Sequence, residues 1–225
     1  MKENGRIIKS YSYDQCEILN NIIQLYVPSG VLDVDCTYSK GQFYANSSFK
    51  VPEPLQKFDL YPQSADVVKA DCRNLPIESN SINSLIFDPP FLATTGASLN
   101  QDNNNNKINK RFGVYPSEQE LHKMYYDSLT EFMRVLKKDG ICVVKCQDKI
   151  SSGKQFMSHV YLINMAEELG FYVEDFFILL AKNRLVADWQ LKNQKHSRKY
   201  HCYFIVLRKP KNKRKMSYSE IRSCL

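Results

Sequence analysis

Asp88, Pro89, Pro90 and Phe91 put a carboxylate, two rigid residues and an aromatic ring in four consecutive positions, directly after the apolar run Leu85-Ile86-Phe87. Proline has no amide donor for a sheet ladder, so the strand predicted over 84–87 must stop there. With proline at about 5% of residues, such a tetrapeptide is uncommon by chance. One reading is a rigid surface turn with an exposed ring. The other is a clamp for a planar amine. A nucleobase amino group is a poor nucleophile because its lone pair is delocalised into the ring. It must turn towards tetrahedral geometry before it can attack an electrophilic methyl group. The Asp88 carboxylate and a fixed carbonyl, most simply that of Pro89, can hold its two N–H bonds in that geometry, and the prolines set the orientation in advance. Phe91 offers a face on which an extruded base can stack, and the carboxylate stabilises positive charge developing on the nitrogen.

Such a clamp needs a scaffold that ends several strands on one rim. Short apolar stretches within 31–35, 57–62, 65–71, 84–87, 141–146, 172–181 and 200–208 read as strands. Residues 12–27 predict an amphipathic helix, with Ser12 and Gln15 as a capping box and Ile18, Leu19, Ile22, Leu25 and Tyr26 on one face. A second helix is predicted over 117–138, opened by Ser117 and Glu120 and followed by Gly140; a third over 155–169 ends at Gly170. Alternation of strands and helices predicts an α/β domain with a largely parallel sheet, in which ligands bind beyond the C-terminal strand ends. Asp33 or Asp35, Asp59, Asp71 and Asp88 fall at or near successive strand ends, which gathers carboxylates on that rim. Any one of them alone could equally be a turn former or a helix cap.

The 225 residues suffice for one sizeable domain and hardly for two, and 43% hydrophobic content supports a packed core. No apolar run reaches the roughly 18 residues of a membrane span, and the first residues lack the apolar stretch of a signal peptide. A cytoplasmic protein without membrane contact is therefore expected. The seven cysteines (16, 36, 72, 142, 146, 202 and 224) form no CxxC pair, so buried reduced thiols and no metal are expected. The net charge of +7 is concentrated in the runs 107–111, 192–199 and 209–215. One such run is often only a solvated face; three near predicted sheet ends favour a polyanionic partner.

At these positions the chain resembles the S-adenosylmethionine-dependent amino methyltransferases that modify adenine N6 or cytosine N4. Their hallmark, [Asp/Asn/Ser]-Pro-Pro-[Tyr/Phe/Trp], closes the fourth strand and matches Asp88-Pro89-Pro90-Phe91. The resemblance spans about residues 11–208 and implies a Rossmann-like class I methyltransferase fold. That fold has a seven-stranded, mostly parallel sheet with helices on both faces and the last strand antiparallel. The resemblance further implies a single catalytic domain over 1–208, a basic flexible tail over 209–225, and S-adenosyl-L-methionine as cofactor. By motif order, the loop after strand one supplies Asp33, Tyr38 and Gly41; Asp59 stands where the ribose-binding acid sits; Asp71 and Cys72 stand beside the cofactor's adenine. The family's first motif is usually glycine-rich, whereas here Thr37, Tyr38 and Ser39 occupy the turn and Gly41 is the remaining glycine.

The chain has no room for a separate recognition domain, so recognition is expected from two substrate-facing loops, 92–117 and 182–199. The second carries Lys182, Arg184, Lys192, Lys195, Arg198 and Lys199 around Trp189, a pattern for phosphate contacts plus base stacking. A solvated loop with its tryptophan packed on the core is the alternative. Aspartate in the first clamp position is associated in the family with adenine N6 more than with cytosine N4. The expected activity is direct in-line methyl transfer to a flipped base in DNA, adenine N6 before cytosine N4. RNA adenine-N6 methylation, or a non-catalytic nucleic-acid-binding subunit, are the alternatives. Asn-Pro-Pro relatives methylate glutamine amides; Asp88 and the basic surface argue against that acceptor.

Overall fold

The computed structural model describes residues 7–45, 48–91, 93, 115–151, 153–183 and 194–212. Their elements, in chain order, are β1 (Tyr11–Ser12), α1 (Gln15–Tyr26), β2 (Val34–Asp35), β3 (Gln56–Asp59), β4 (Val68–Lys69) and β5 (Ile82–Phe87). There follow α2 (Glu118–Val135), β6 (Leu136–Cys146), β7 (Lys149–Ser151), β8 (Lys154–Phe156), α3 (Ser158–Glu168), β9 (Tyr172–Leu180) and β10 (His201–Arg208). One sheet runs β1-β9-β10-β6-β5-β2-β3-β4, and β7 and β8 form a separate hairpin. All its pairings are parallel except those of β10, which runs against both β6 and β9. This is a Rossmann-like α/β fold with its topological switch point between β2 and β5. The seven expected strands are present with the last one antiparallel. The edge strand β1 makes an eighth, pairing Tyr11 with Ile178 and Ser12 with Leu179.

Both faces of the sheet are covered, which explains why its central strands read as continuous apolar runs. Alternate residues point to opposite sides. Ile86, Val143, Phe204 and Val206 pack against Ile18, Leu19 and Ile22 of α1. Leu85, Phe87, Cys142, Val144, Cys146 and Ile205 pack on the other face with Leu129 and Phe132 of α2 and Leu162 of α3.

Three element boundaries differ from the sequence expectation, each because a strand pairing claims the residues. Helix α1 starts later, because Ser12 is held in β1; Asp14 caps the helix instead, accepting from the Cys16 N–H at 2.8 Å. Leu25 is exposed and Ile23 takes an inward position. Helix α2 keeps its predicted cap, with Ser117 Oγ accepting from the Glu120 N–H at 3.1 Å, but ends at Val135 because Leu136 already pairs with Ile82. Helix α3 starts at Ser158, since 154–156 is the return strand of the hairpin. The basic segment from 209 is also docked at its start. Lys209 exchanges backbone hydrogen bonds with Asp139 and Gly140, and its ammonium donates to the Met133 and Leu136 carbonyls at the end of α2, 2.7 Å each.

The chain between β4 and β5 is tied to α2 by a buried carboxylate. Glu131 accepts from the Leu75 N–H at 2.7 Å and from Arg134 at 2.6 Å. Glu131→Ala strands the Leu75 amide in the interior, at an expected cost of about 1–3 kcal/mol, measured as a lowered denaturant midpoint at unchanged slope. The described cysteines are free thiols, and Cys224 lies outside the described residues. Among the described residues, no helix is long and apolar enough to cross a membrane, and no group of three potential ligands could hold a metal ion.

Candidate active site

Strands β2, β3 and β5 release their chains on one rim, where a cavity of about 120 Å³ opens between Thr37–Ser39, Asp59, Asp71, Cys72, Asp88, Pro90 and Tyr115. Asp59 is 7% exposed, and both its carboxylate oxygens accept backbone N–H groups, from Ser39 at 2.8 Å and Tyr61 at 2.7 Å. Ser39 has a φ of 51°, a left-handed conformation that a glycine would adopt freely. Asp59 thus stabilises the glycine-poor turn from across the cavity. Asp71 also lines the cavity, but its oxygens are engaged by Arg73 in a forked pair at 2.6 and 2.9 Å. That guanidinium holds the Asp71 carboxyl below its ordinary range. Cys72 lies beside it, its thiol 3.3 Å from Ser128 Oγ and pushed up to about 11 by burial.

Two of the expected cofactor residues stand elsewhere. Asp33 precedes β2, and its carboxylate accepts from the backbone N–H of Asn83 at 2.5 Å and from the Asn83 side-chain amide at 3.1 Å, away from the cavity. The acid at the end of β2 is Asp35. Gly41 does not line the cavity either; its φ of 64° closes the turn beneath Tyr38, and an added Cβ would meet the Tyr38 hydroxyl at 2.5 Å. Tyr38 does line the cavity, stacked on Tyr44 at 5.5 Å.

Asp35 is 1% exposed and accepts from the Thr37 N–H at 2.9 Å and the Tyr44 hydroxyl at 3.0 Å. Burial pushes its carboxyl up to about 7, and the nearby charges of Asp88 and Asp59 add to the shift. The folded state therefore holds a proton that the unfolded chain releases near the ordinary aspartate value. Stability from this group is full below about pH 4 and is lost as pH rises to about 7. Asp35→Asn keeps an acceptor oxygen for the Thr37 N–H and can donate its amide N–H to the Tyr44 hydroxyl oxygen in place of the bond it accepted there. It is expected to flatten the pH dependence of the melting temperature between pH 4 and 7.

The Asp88–Phe91 tetrapeptide is pinned at each step. The Asp88 N–H donates to Thr37 Oγ1 at 2.7 Å, and Asp88 Oδ2 lies 3.0 Å from Lys145 Nζ. Pro89 is buried. The Tyr125 hydroxyl donates to the Pro90 carbonyl at 2.6 Å, and Lys149 Nζ donates to that of Phe91 at 2.6 Å. Lys149 is itself held by Glu118 at 2.9 Å, and burial lowers its affinity for the proton. Sequence reasoning missed Thr37, Tyr125, Lys145 and Lys149. Tyr125 carried only the signal of a helix core position, and Lys145 stood inside an apolar run.

Phe91 and Lys145 face the other way, into an open groove of about 720 Å³ lined also by Tyr13, Gln15, Lys182 and His201. Lys182 Nζ sits 5.7 Å from the centre of the Tyr13 ring at this groove. Lys195 and Arg198 are exposed and Lys199 is half-buried. Arg184, Trp189 and Lys192 lie outside the described residues, as do residues 94–114 of the first loop and 213–225 of the tail.

No protein-family model matches the chain, and no curated protein does. Solved structures do. TTHA0409 of Thermus thermophilus, named a "putative DNA modification methylase" and solved with S-adenosyl-L-methionine, is 16% identical with a TM-score of 0.44; the match covers 69% of this chain and 60% of that one. The chain thus spans less than two thirds of that protein's length. The PvuII DNA methyltransferase, cytosine-N4-specific, is 15% identical with a TM-score of 0.43, over 66% of this chain and 49% of its own. SpnF, a [4+2]-cyclase, is 13% identical with a TM-score of 0.49, over 85% and 80%.

Proposed function

We propose that this chain is an S-adenosyl-L-methionine-dependent methyltransferase acting on an exocyclic amino group in DNA, adenine N6 before cytosine N4. The observation that carries the reading is the position of Asp88 and Phe91. The carboxylate lines the cavity at the ends of β2, β3 and β5, while the ring lines the open groove beside it. A donor held in the first and an acceptor in the second would meet at the tetrapeptide.

The residues around the cavity suit the cofactor. Asp59 keeps lone pairs beyond those its backbone donors use, so it could accept from ribose hydroxyls. Asp71 and Cys72 would border the adenine. The bound cofactor supplies an electrophilic methyl group on a sulfonium. The protein's part is orientation. A carboxylate is too weak a base to deprotonate an amine beforehand, so Asp88 would accept one N–H bond and fix the direction of the nitrogen lone pair. The Pro89 carbonyl would take the second N–H. Phe91 would stack on the base. The proton would pass to water once the nitrogen has become cationic, the Asp88 charge stabilising it until then. Lys182, Arg184, Trp189, Lys192, Lys195, Arg198 and Lys199 would hold the polyanion around the flipped base. None of this requires a cysteine nucleophile.

Incubation with methyl-tritiated S-adenosyl-L-methionine and unmodified DNA or RNA tests the reading. Deoxyribonuclease-sensitive incorporation is expected. Ribonuclease-sensitive label would move the acceptor to RNA, and tight binding without label would favour a non-catalytic subunit.

A further inference from the structure

Lys145 is a charged residue in the middle of the sheet, on β6, directly opposite Phe204 of β10. Its side chain is 12% exposed and its ammonium is ringed by apolar groups. The centres of the Phe43, Phe204 and Phe91 rings lie 5.0, 5.7 and 5.9 Å away. A lysine is costly in such a place unless its charge and its N–H bonds are used. Asp88 Oδ2 at 3.0 Å balances the charge, and Gln15 Oε1 at 3.3 Å accepts a second hydrogen bond. An ammonium has three N–H donors. Among the described residues, hydrogen bonds to Lys145 account for two of them, and the ammonium borders the groove that also holds Phe91.

An acceptor that borders the cavity and a donor that borders the groove, 3.0 Å apart, form a two-point reader where the two openings meet. The complementary edge is amidine-like, with an amino group and a lone-pair ring nitrogen on one shared carbon. Both adenine (N6 beside N1) and cytosine (N4 beside N3) carry that edge. A lone alkylamine does not. We propose that Lys145 is an acceptor-positioning and specificity residue: it donates its remaining N–H to the ring nitrogen next to the amino group, while Asp88 accepts from the amino group itself. This rests on the methyltransferase reading above. The two contacts fix the rotation of the base in its own plane, which stacking on Phe91 alone leaves free. Lys145 adds no basicity, and its charge is matched by Asp88, so its contribution is to orientation and choice of acceptor.

The test uses the oligonucleotide that the wild-type chain methylates, made with adenine or with 1-deazaadenine at the acceptor position; the analogue replaces ring N1 by C–H and keeps the amino group. For a cytosine acceptor, 3-deazacytosine takes its place. The wild-type protein is expected to lose roughly 10–100-fold in kcat/KM on the deaza base, because a buried donor is left unpaired. Lys145→Met keeps most of the aliphatic stem. It is expected to lose a similar factor on the natural base and to show almost no further loss on the analogue. S-adenosyl-L-methionine binding by Lys145→Met, followed calorimetrically, should stay at the wild-type level and so report intact folding. Equal deaza penalties in wild type and Lys145→Met, or a Lys145→Met variant as active as wild type on the natural base, would overturn the assignment while leaving the methyltransferase reading intact. Failure of the wild-type chain to methylate any DNA or RNA would sink that reading itself, and this inference with it.

Discussion

Asp88→Ala lowers methyl transfer by roughly 10²–10³-fold, the scale seen when one preorganised polar group at a reacting centre is removed. The substitution takes away the acceptor that would orient the amine and the charge that would stabilise its cationic state. It also strips Lys145 of its counter-charge, leaving an ammonium among three rings. The backbone of the clamp should survive, because the hydrogen bonds from Asp88 N–H to Thr37, from Tyr125 to Pro90 and from Lys149 to Phe91 do not involve the deleted carboxylate. Single-turnover kinetics with saturating methyl donor should therefore show a slowed step with cofactor affinity changed by no more than a few fold. Asp88→Asn retains one acceptor oxygen and is expected to fall between the two.

Asp59→Ala acts on the other substrate. Two charge-assisted hydrogen bonds to ribose hydroxyls would be lost, and hydrogen bonds to charged groups contribute about 1.5–3 kcal/mol each. The dissociation constant for S-adenosyl-L-methionine, measured calorimetrically, is expected to rise about 100-fold or more. A second consequence is local. Asp59 holds the Ser39 and Tyr61 amides, and Ser39 is the left-handed residue of the turn after β2. Releasing it loosens the loop whose Thr37 supports Asp88, so the variant should also melt at a lower temperature. Ser39→Gly in the Asp59→Ala background relieves the backbone strain. It should restore part of the melting temperature and none of the lost ribose contacts.

What could be read from the sequence was local. The Ser117 cap, the halt of β5 at the prolines and the strand-end positions of Asp59 and Asp88 follow from side chains acting on their own backbone or on the next few residues. Most of the misreadings are long-range. Asp33 and Asp35 are both acids flanking one short strand, and only the pairing of Val34 with Leu85 decides that Asp35 ends the strand while Asp33 meets Asn83. Ser12 looked like a helix cap until the edge pairing with β9 claimed it. Lys145 lies 57 positions from Asp88 in sequence, and nothing in VVKC distinguishes a strand lysine facing solvent from one facing a carboxylate. The register of β5 on β6, with Phe87 opposite Val144, brings the two together. The same topology places the cavity at the switch point, where the chains leaving β2, β3 and β5 come together and Asp59 and Asp88 line it.

The central proposition is that Asp88 grips an amino group while it receives a methyl. Nucleoside mass spectrometry tests this most directly, on nucleic acid treated with trideuteromethyl-labelled S-adenosyl-L-methionine and either the wild-type chain or Asp88→Ala. The expected result is label on an exocyclic nitrogen, N6-methyladenine first, with the wild-type chain and almost none with the variant. Label on a ring carbon, on a sugar or at equal levels with both proteins would contradict it.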